Sequence, residues 1–140
     1  EQLASRLGIA GRTRFLGRVS DAELYALYGR AELFVLAASV TEDSHEGFGI
    51  VYLEAAASGV PSLAARLAGA AEAVAERQSG YFVDSPDVES LRVALARFLD
   101  GSIRFDPETC RGFAREFDWE RVADACERMY RRSLTRAAAA

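Results

Sequence analysis

The chain has 140 residues, half of them hydrophobic and 27% charged, with a net charge of -4. That suits one domain around one core, and the acidic balance tells against a nucleic-acid partner. The longest apolar run, Leu33 to Ala38, falls far short of the roughly 20 residues of a membrane span, and the mixed, polar first ten residues do not read as a signal peptide.

In chain order, "TRFLG" (Thr13–Gly17) reads as a short strand. Ser20 with Glu23 three residues later forms a capping box that opens a helix through "DAELYALYGRA". "ELFVLAA" has the length and the β-branched and aromatic content of a buried strand. A polar loop from Val40 to His45 leads to a helix from about Gly47 to Ser58, closed by Gly59. "VPSLAA" is the next strand, "AAEAVAERQSG" a short helix ending at Gly80, and Tyr81–Val83 a brief strand. Three helices follow. The first has Ser85 and Pro86 at its start and Gly101 beyond its end. The second opens at Asp106–Pro107, with proline where a missing N–H costs nothing. The last runs over about 119–136, with an apolar face at Val122, Cys126, Met129 and Ser133.

Strands alternating with helices, the strands almost continuously apolar, imply a parallel sheet covered on both faces. The expected fold class is α/β, a Rossmann-like doubly wound sheet. Four short strands are thin for such a sheet, and the chain opens at Glu1, partway into an amphipathic pattern. One or two strands are therefore expected upstream, and the 140 residues are expected to be a single, partial domain.

Several residue types narrow the chemistry. Cys110 and Cys126 fit no metal spacing and read as reduced thiols. One histidine, His45, leaves no histidine-rich metal site. All 17 basic residues are arginine, which with the abundant alanine suggests a bacterial, GC-rich source. The cluster at Arg128, Arg131, Arg132 and Arg136 reads as a solvated helix end, where cations suit the dipole.

The stretch "SHEGFGIVYLEAAASGVPS", Ser44 to Ser62, carries the most chemistry. Ligands of open α/β sheets bind beyond the carboxyl ends of the strands, and the loop after Leu33–Leu36 lies at that edge. Gly47 and Gly49 bracket Phe48 at a helix start, where glycine lets a ligand approach the backbone and free N–H groups favour an anion such as pyrophosphate. Glu46, just outside the first turn, can accept hydrogen bonds from hydroxyls. Glu54 lies about 9 Å along the helix axis from Phe48 and could take both hydroxyls of a ribose. Each feature also has a purely structural account. The glycines could cap, Glu46 could complement the helix dipole, and Glu54 could snorkel from a packed face. The combination at a sheet edge favours a ligand site.

"EGFGIVYLEAAASGVPS" resembles the signature of family-4 retaining glycosyltransferases of the GT-B fold, an E-x(7)-E motif followed by an alanine-rich helix and an A-S-G-x-P turn. The segments "RFLGRVSDAELYALYGRAELFVLAAS", "SGYFVDSPDVESLRVALARFLDG" and "FDWERVADACERMY" resemble the family's flanks, so the similarity spans about Arg12 to Tyr130. The chain would then be the C-terminal, nucleotide-sugar-binding half of such an enzyme, incomplete at its N-terminal side.

By this resemblance Glu46 is the catalytic-site carboxylate on the donor sugar's hydroxyls. Gly47, Phe48, Gly49 and Ile50 border sugar and diphosphate, Glu54 holds the ribose, and Gly17, Arg18 and Val19 lie on the base side. Two departures stand out. The family's Gly-Gly pair after "VPS" is Ala68–Gly69 here, followed by Glu72, and the family's arginine–lysine pair would lie upstream of this lysine-free chain.

The resemblance implies sugar transfer from a GDP- or UDP-linked donor with retention, no protein nucleophile, no metal and no cofactor; no Asp-x-Asp motif occurs. An N-terminal domain of the same protein would hold the acceptor, so the chain alone is expected to be inactive. The location implied is cytoplasmic, with contact at the inner membrane face only through parts outside this chain. The long polar insert "VTEDSH" resembles some GDP-mannose enzymes and leaves UDP-sugars equally open. Two alternatives stand beside this reading: another GT-B enzyme, such as a sugar-nucleotide epimerase or glycogen-type synthase, and a non-catalytic nucleotide-binding or interaction module.

Overall fold

The computed structural model describes residues 1–37, 48–66 and 69–138. Helix α1 (Gln2–Arg6) leads through a 3-10 turn (Ala10–Arg12) to α2 (Asp21–Tyr28). Strand β1 (Phe34–Leu36) and helix α3 (Ile50–Ala57) follow, then β2 (Ser62–Ala65), the single turn α4 (Ala70–Ala73) and β3 (Gly80–Val83). The chain finishes with α5 (Val88–Leu99), α6 (Pro107–Ala114), a 3-10 turn (Arg115–Phe117) and α7 (Trp119–Ala138). No described helix is long and apolar enough to cross a membrane.

Local chemistry starts the helices where the sequence predicts. The Ser20 backbone N–H donates to Glu23 Oε2 at 2.9 Å and the Glu23 N–H returns to Ser20 Oγ, completing the capping box of α2. Asp87 and Asp106 accept from the N–H groups of Ser90 and Thr109 to cap α5 and α6, the latter with Pro107 in its first turn. The expected start of α5 at Ser85–Pro86 thus moves to Asp87, whose side chain reaches the third N–H of the helix.

The described strands form one parallel sheet in the order β1-β2-β3, with Phe34 opposite Ser62 and Ser62 opposite Gly80. Every residue of β2 is buried. Alternation divides the sheet's side chains between two cores. Leu63, Ala65, Tyr81 and Val83 pack with Ala94 of α5, whereas Ala64 packs with Tyr52 of α3 and Ala70 and Ala73 of α4, joined by Phe34, Leu36 and Phe82. Helices on both faces make this the doubly wound arrangement the periodicity implies. Helix α2 adds a smaller cluster in which Tyr28, Ala55 and Val60 are buried against Phe34.

Three expectations are corrected. The strand at Thr13–Gly17 does not form: these residues join no described strand, and Phe15 and Leu16 remain 55% and 44% exposed. A β-propensity without a neighbour to complete its ladder stays coil. The helix expected from Gly47 begins at Ile50, because Gly49 adopts φ 79°, ψ 56°, outside the helical region. The helix expected to reach Gly80 stops at Ala73, where Val74 turns extended (φ -128°) and buries its side chain.

The contact between β2 and β3 depends on Gly80, since a Cβ there would collide with the Ser62 carbonyl and with Val74 Cγ1. Gly80→Ala should therefore cost about 1–3 kcal/mol in urea unfolding. Unchanged stability in that variant would contradict so close a packing of the two backbones.

Candidate nucleotide-sugar site

Helix α3 is fixed against the sheet by its own side chains. The Tyr52 hydroxyl donates to the Leu36 carbonyl at 2.6 Å, tying the first turn of α3 to the carboxyl end of β1. Phe34 meets Tyr52 and Tyr28 edge-on, both with ring centroids 5.8 Å apart. These contacts set the N-terminus of α3 at the edge of the sheet where parallel α/β folds receive their ligands.

That N-terminus carries no side-chain cap, and Gly49 precedes it in a left-handed conformation that other residues adopt at a cost. Among the described residues the N–H groups of Ile50 and Val51 have no acceptor, and they lie where a ligand beyond the strand ends could accept from them. Gly49 is buried and Ile50 is 66% exposed. Glu46 and Gly47, the other half of the sequence motif, lie outside the described residues.

Glu54 is half-buried, one turn past Ile50 on the same helix. The Tyr28 hydroxyl, carried by α2, donates to Glu54 Oε2 at 3.3 Å, with the Val51 carbonyl at 3.5 Å as a second acceptor. The carboxylate is thus held from the side of α2, and its Oε1 has no hydrogen-bond partner among the described residues. Burial first, and the adjacent Glu54 charge next, push the Tyr28 hydroxyl up to about 12. It stays protonated, and able to donate, across the physiological range.

Beside Glu54 opens a cavity of about 710 Å³ between α3 and the chain leading into α7, walled by Phe48, Ile50, Leu53, Phe117 and Trp119. Phe48 faces Phe117 with ring centroids 5.7 Å apart, and Phe113 backs Phe117 at 5.2 Å. Glu54 is the one charged side chain in this wall among the described residues. The structure therefore joins Phe48, Ile50 and Glu54 at one cavity. Gly17, Arg18 and Val19 do not line it. They lie in an irregular segment before Ser20, with Gly17 and Arg18 exposed, Val19 half-buried and Gly17 at φ 61°.

Sequence reasoning did not find Tyr28, Phe117 or Trp119. Tyr28 sits 26 positions before Glu54, and no local pattern marks it as a carboxylate's partner. Phe113, Phe117 and Trp119 lie close together in the chain, but their spacing does not mark them as the wall of a cavity.

The Tyr28–Glu54 pair has a pH signature. The folded Tyr28 value lies above the unfolded value of about 10, so the stabilisation is complete below pH 10 and is lost as pH rises toward 12. Tyr28→Phe, which cannot ionise, should show a shallower loss of stability across that alkaline interval in urea midpoints measured against pH. An identical alkaline slope in wild type and variant would remove the coupling.

Comparison with known proteins agrees with the geometry. The chain is 35% identical over 133 residues to the D-inositol 3-phosphate glycosyltransferase of Corynebacterium urealyticum, covering 94% of this chain and 30% of that protein. It is 36% identical over 126 residues to the glycogen synthase of Mycobacterium tuberculosis, covering 84% of this chain and 28% of the relative. The chain thus spans about 30% of the length of the curated relatives it matches. Among solved structures, the sucrose-phosphate synthase of Thermosynechococcus elongatus superposes with a TM-score of 0.77 at 26% identity, over 96% of this chain and 33% of that one. HepE of Anabaena, solved in complex with UDP, superposes with a TM-score of 0.70 at 24% identity, over 90% of this chain and 35% of that one, a likeness of fold. The family described as glycosyl transferases group 1 matches residues 1–116. With its parallel Rossmann-like sheet of the GT-B type, the chain belongs to the group 1 glycosyl transferases.

Proposed function

We propose that this chain is the donor-binding half of a retaining glycosyltransferase that takes a GDP- or UDP-linked sugar. The observation that carries the reading is Glu54. It is a half-buried carboxylate with one oxygen held by Tyr28 and the other without a partner among the described residues, at the mouth of a large cavity beside a helix N-terminus that no described side chain caps.

In this reading a ribose donates hydrogen bonds from its two hydroxyls to Glu54, while Tyr28 keeps the carboxylate turned toward the cavity. The diphosphate lies against the N–H groups that open α3, and their dipole favours the charge that grows on it as the glycosidic bond breaks. Glu46 accepts from the sugar hydroxyls, Gly47, Phe48, Gly49 and Ile50 border the sugar, and Gly17, Arg18 and Val19 face the base. Arginine or lysine from beyond this chain completes charge neutralisation, since no cation lines the cavity among the described residues. The acceptor attacks from the leaving-group face, so the reaction uses no protein nucleophile, metal or cofactor. An additional domain of the same cytoplasmic protein holds the acceptor. A glycogen-type synthase is the second reading, favoured by the 36% identity to a relative of that name; the acceptor consumed by the whole protein decides between them.

Glu54→Leu and Glu46→Gln in the full-length protein test the assignment. Losing the ribose bonds should weaken nucleotide diphosphate binding by about tenfold to a hundredfold, or about 1.4–2.7 kcal/mol, in calorimetric titration. The fold should keep its melting temperature, because the Tyr28 hydroxyl retains the Val51 carbonyl as an acceptor. Glu46→Gln should lower turnover and leave affinity for the bare nucleotide nearly intact. Strong destabilisation of Glu54→Leu with unchanged nucleotide affinity would make Glu54 a structural residue and end this reading.

A further inference from the structure

A second cavity, of about 380 Å³, opens along the outer side of β3, away from Glu54, and three of its lining residues are arginines: Arg77, Arg97 and Arg104. Some of the other described arginines are matched with acids. Arg66 is paired with Glu76, Arg92 with Glu89, Arg111 with Glu108 and Arg131 with Glu127. None of Arg77, Arg97 and Arg104 has a carboxylate within 4.0 Å or a side-chain hydrogen bond among the described residues. The acids nearby are committed: Glu76, also in the wall, is held by Arg66, and Asp100 accepts from the Ser102 N–H.

Arg77 has φ 66°, the one left-handed non-glycine among the described residues, and its N–H donates to the Gly80 carbonyl at 2.9 Å. A β-unbranched cation kept in a strained backbone turn at a cavity rim is the kind of outlier that marks ligand contacts. The Arg104 guanidinium lies against the Gly101 backbone, where any Cβ would strike it. Arg97, on the last turn of α5, is close enough to the Tyr81 hydroxyl for its charge to oppose the upward effect of burial there. Strand β3 contributes too. Ser79 and Val83 give their carbonyls to β2, so the alternation turns the Phe82 N–H outward to the open edge beside the cavity.

We propose that this cavity is a second ligand site, for a small phosphorylated organic molecule. Guanidinium forks match phosphate oxygens, and three exposed arginines around one cavity, none in an ion pair within 4.0 Å among the described residues, suit a dianion. Half-buried Phe105, with Tyr81 stacked on it at 5.8 Å, gives the same cavity an apolar wall for the ligand's carbon skeleton. The volume lies in the range of small-molecule sites. The cavity shares no lining residue with the one at Glu54, so its occupant is bound independently of the nucleotide.

Titration of the full-length protein with ribose 5-phosphate, with the donor site saturated by nucleotide diphosphate, tests this. Saturable binding is expected, with inorganic phosphate weaker because it lacks the carbon skeleton. Arg97→Ala and Arg104→Ala should each lower the affinity by about tenfold or more, while Arg92→Ala, outside the cavity, should not. Arg77→Gly should lose affinity while the melting temperature holds, since glycine relaxes the left-handed turn. The proposal is overturned by an absence of saturable binding, by equal affinity in the arginine variants, or by displacement of the ester by the nucleotide. Binding of inorganic phosphate but not the ester, or only of phosphatidylglycerol vesicles, also overturns it.

Discussion

Strand β2 has no solvent face. All four of its residues are buried, its neighbours run parallel on both sides, and helices close both surfaces. A parallel sheet tolerates this because each backbone N–H and C=O in the central strand is satisfied by a ladder. The condition is that β3 approach closely, which Gly80 permits at the Ser62 carbonyl. Ser62 sits at this crowded point with its buried hydroxyl unpartnered among the described residues, and nothing in the structure explains its polarity. With β2 fixed, β1 and β3 fall in register, and their carboxyl ends share one edge.

The candidate donor site is built outward from that edge. Tyr52 joins α3 to the last carbonyl of β1, and α2 packs its Tyr28 against the buried flank of α3. The same tyrosine that seals the small α2–α3 core supplies the hydrogen bond to Glu54. Packing and site are therefore coupled through one side chain. A carboxylate half-withdrawn from water is tolerable because it has a neutral donor on one side and an open cavity on the other, so it never lies unsolvated.

The apolar stripe of α7 follows a different logic. Trp119 is 84% exposed, and Met129, Tyr130 and Leu134 remain more than half exposed. Such a helix is held by its own hydrogen bonds and by i,i+4 pairs such as Arg131 with Glu127, rather than by burial. Its first turn nevertheless matters to the site, because Trp119 and the preceding Phe117 wall the cavity beside Glu54.

Much of this was determined by the sequence alone. Alternating strand and helix patterns, the Ser20–Glu23 box, the caps at Asp106–Pro107 and the motif from Glu46 to Glu54 are short-range signals, each written within a few residues. They suffice for a parallel α/β sheet, for the family resemblance and for naming Glu54. Tertiary structure alone decided the rest. Thr13–Gly17 carries strand propensity but no ladder, because pairing depends on a neighbour and not on the segment. The partner of Glu54 is 26 residues away in α2, and one side of the cavity wall, Phe117 and Trp119, comes from beyond α6. Arg77, Arg97 and Arg104 are scattered along the chain and read as ordinary surface charges until folding sets them around one cavity. Contacts between distant segments leave no periodicity behind, so only packing could reveal them.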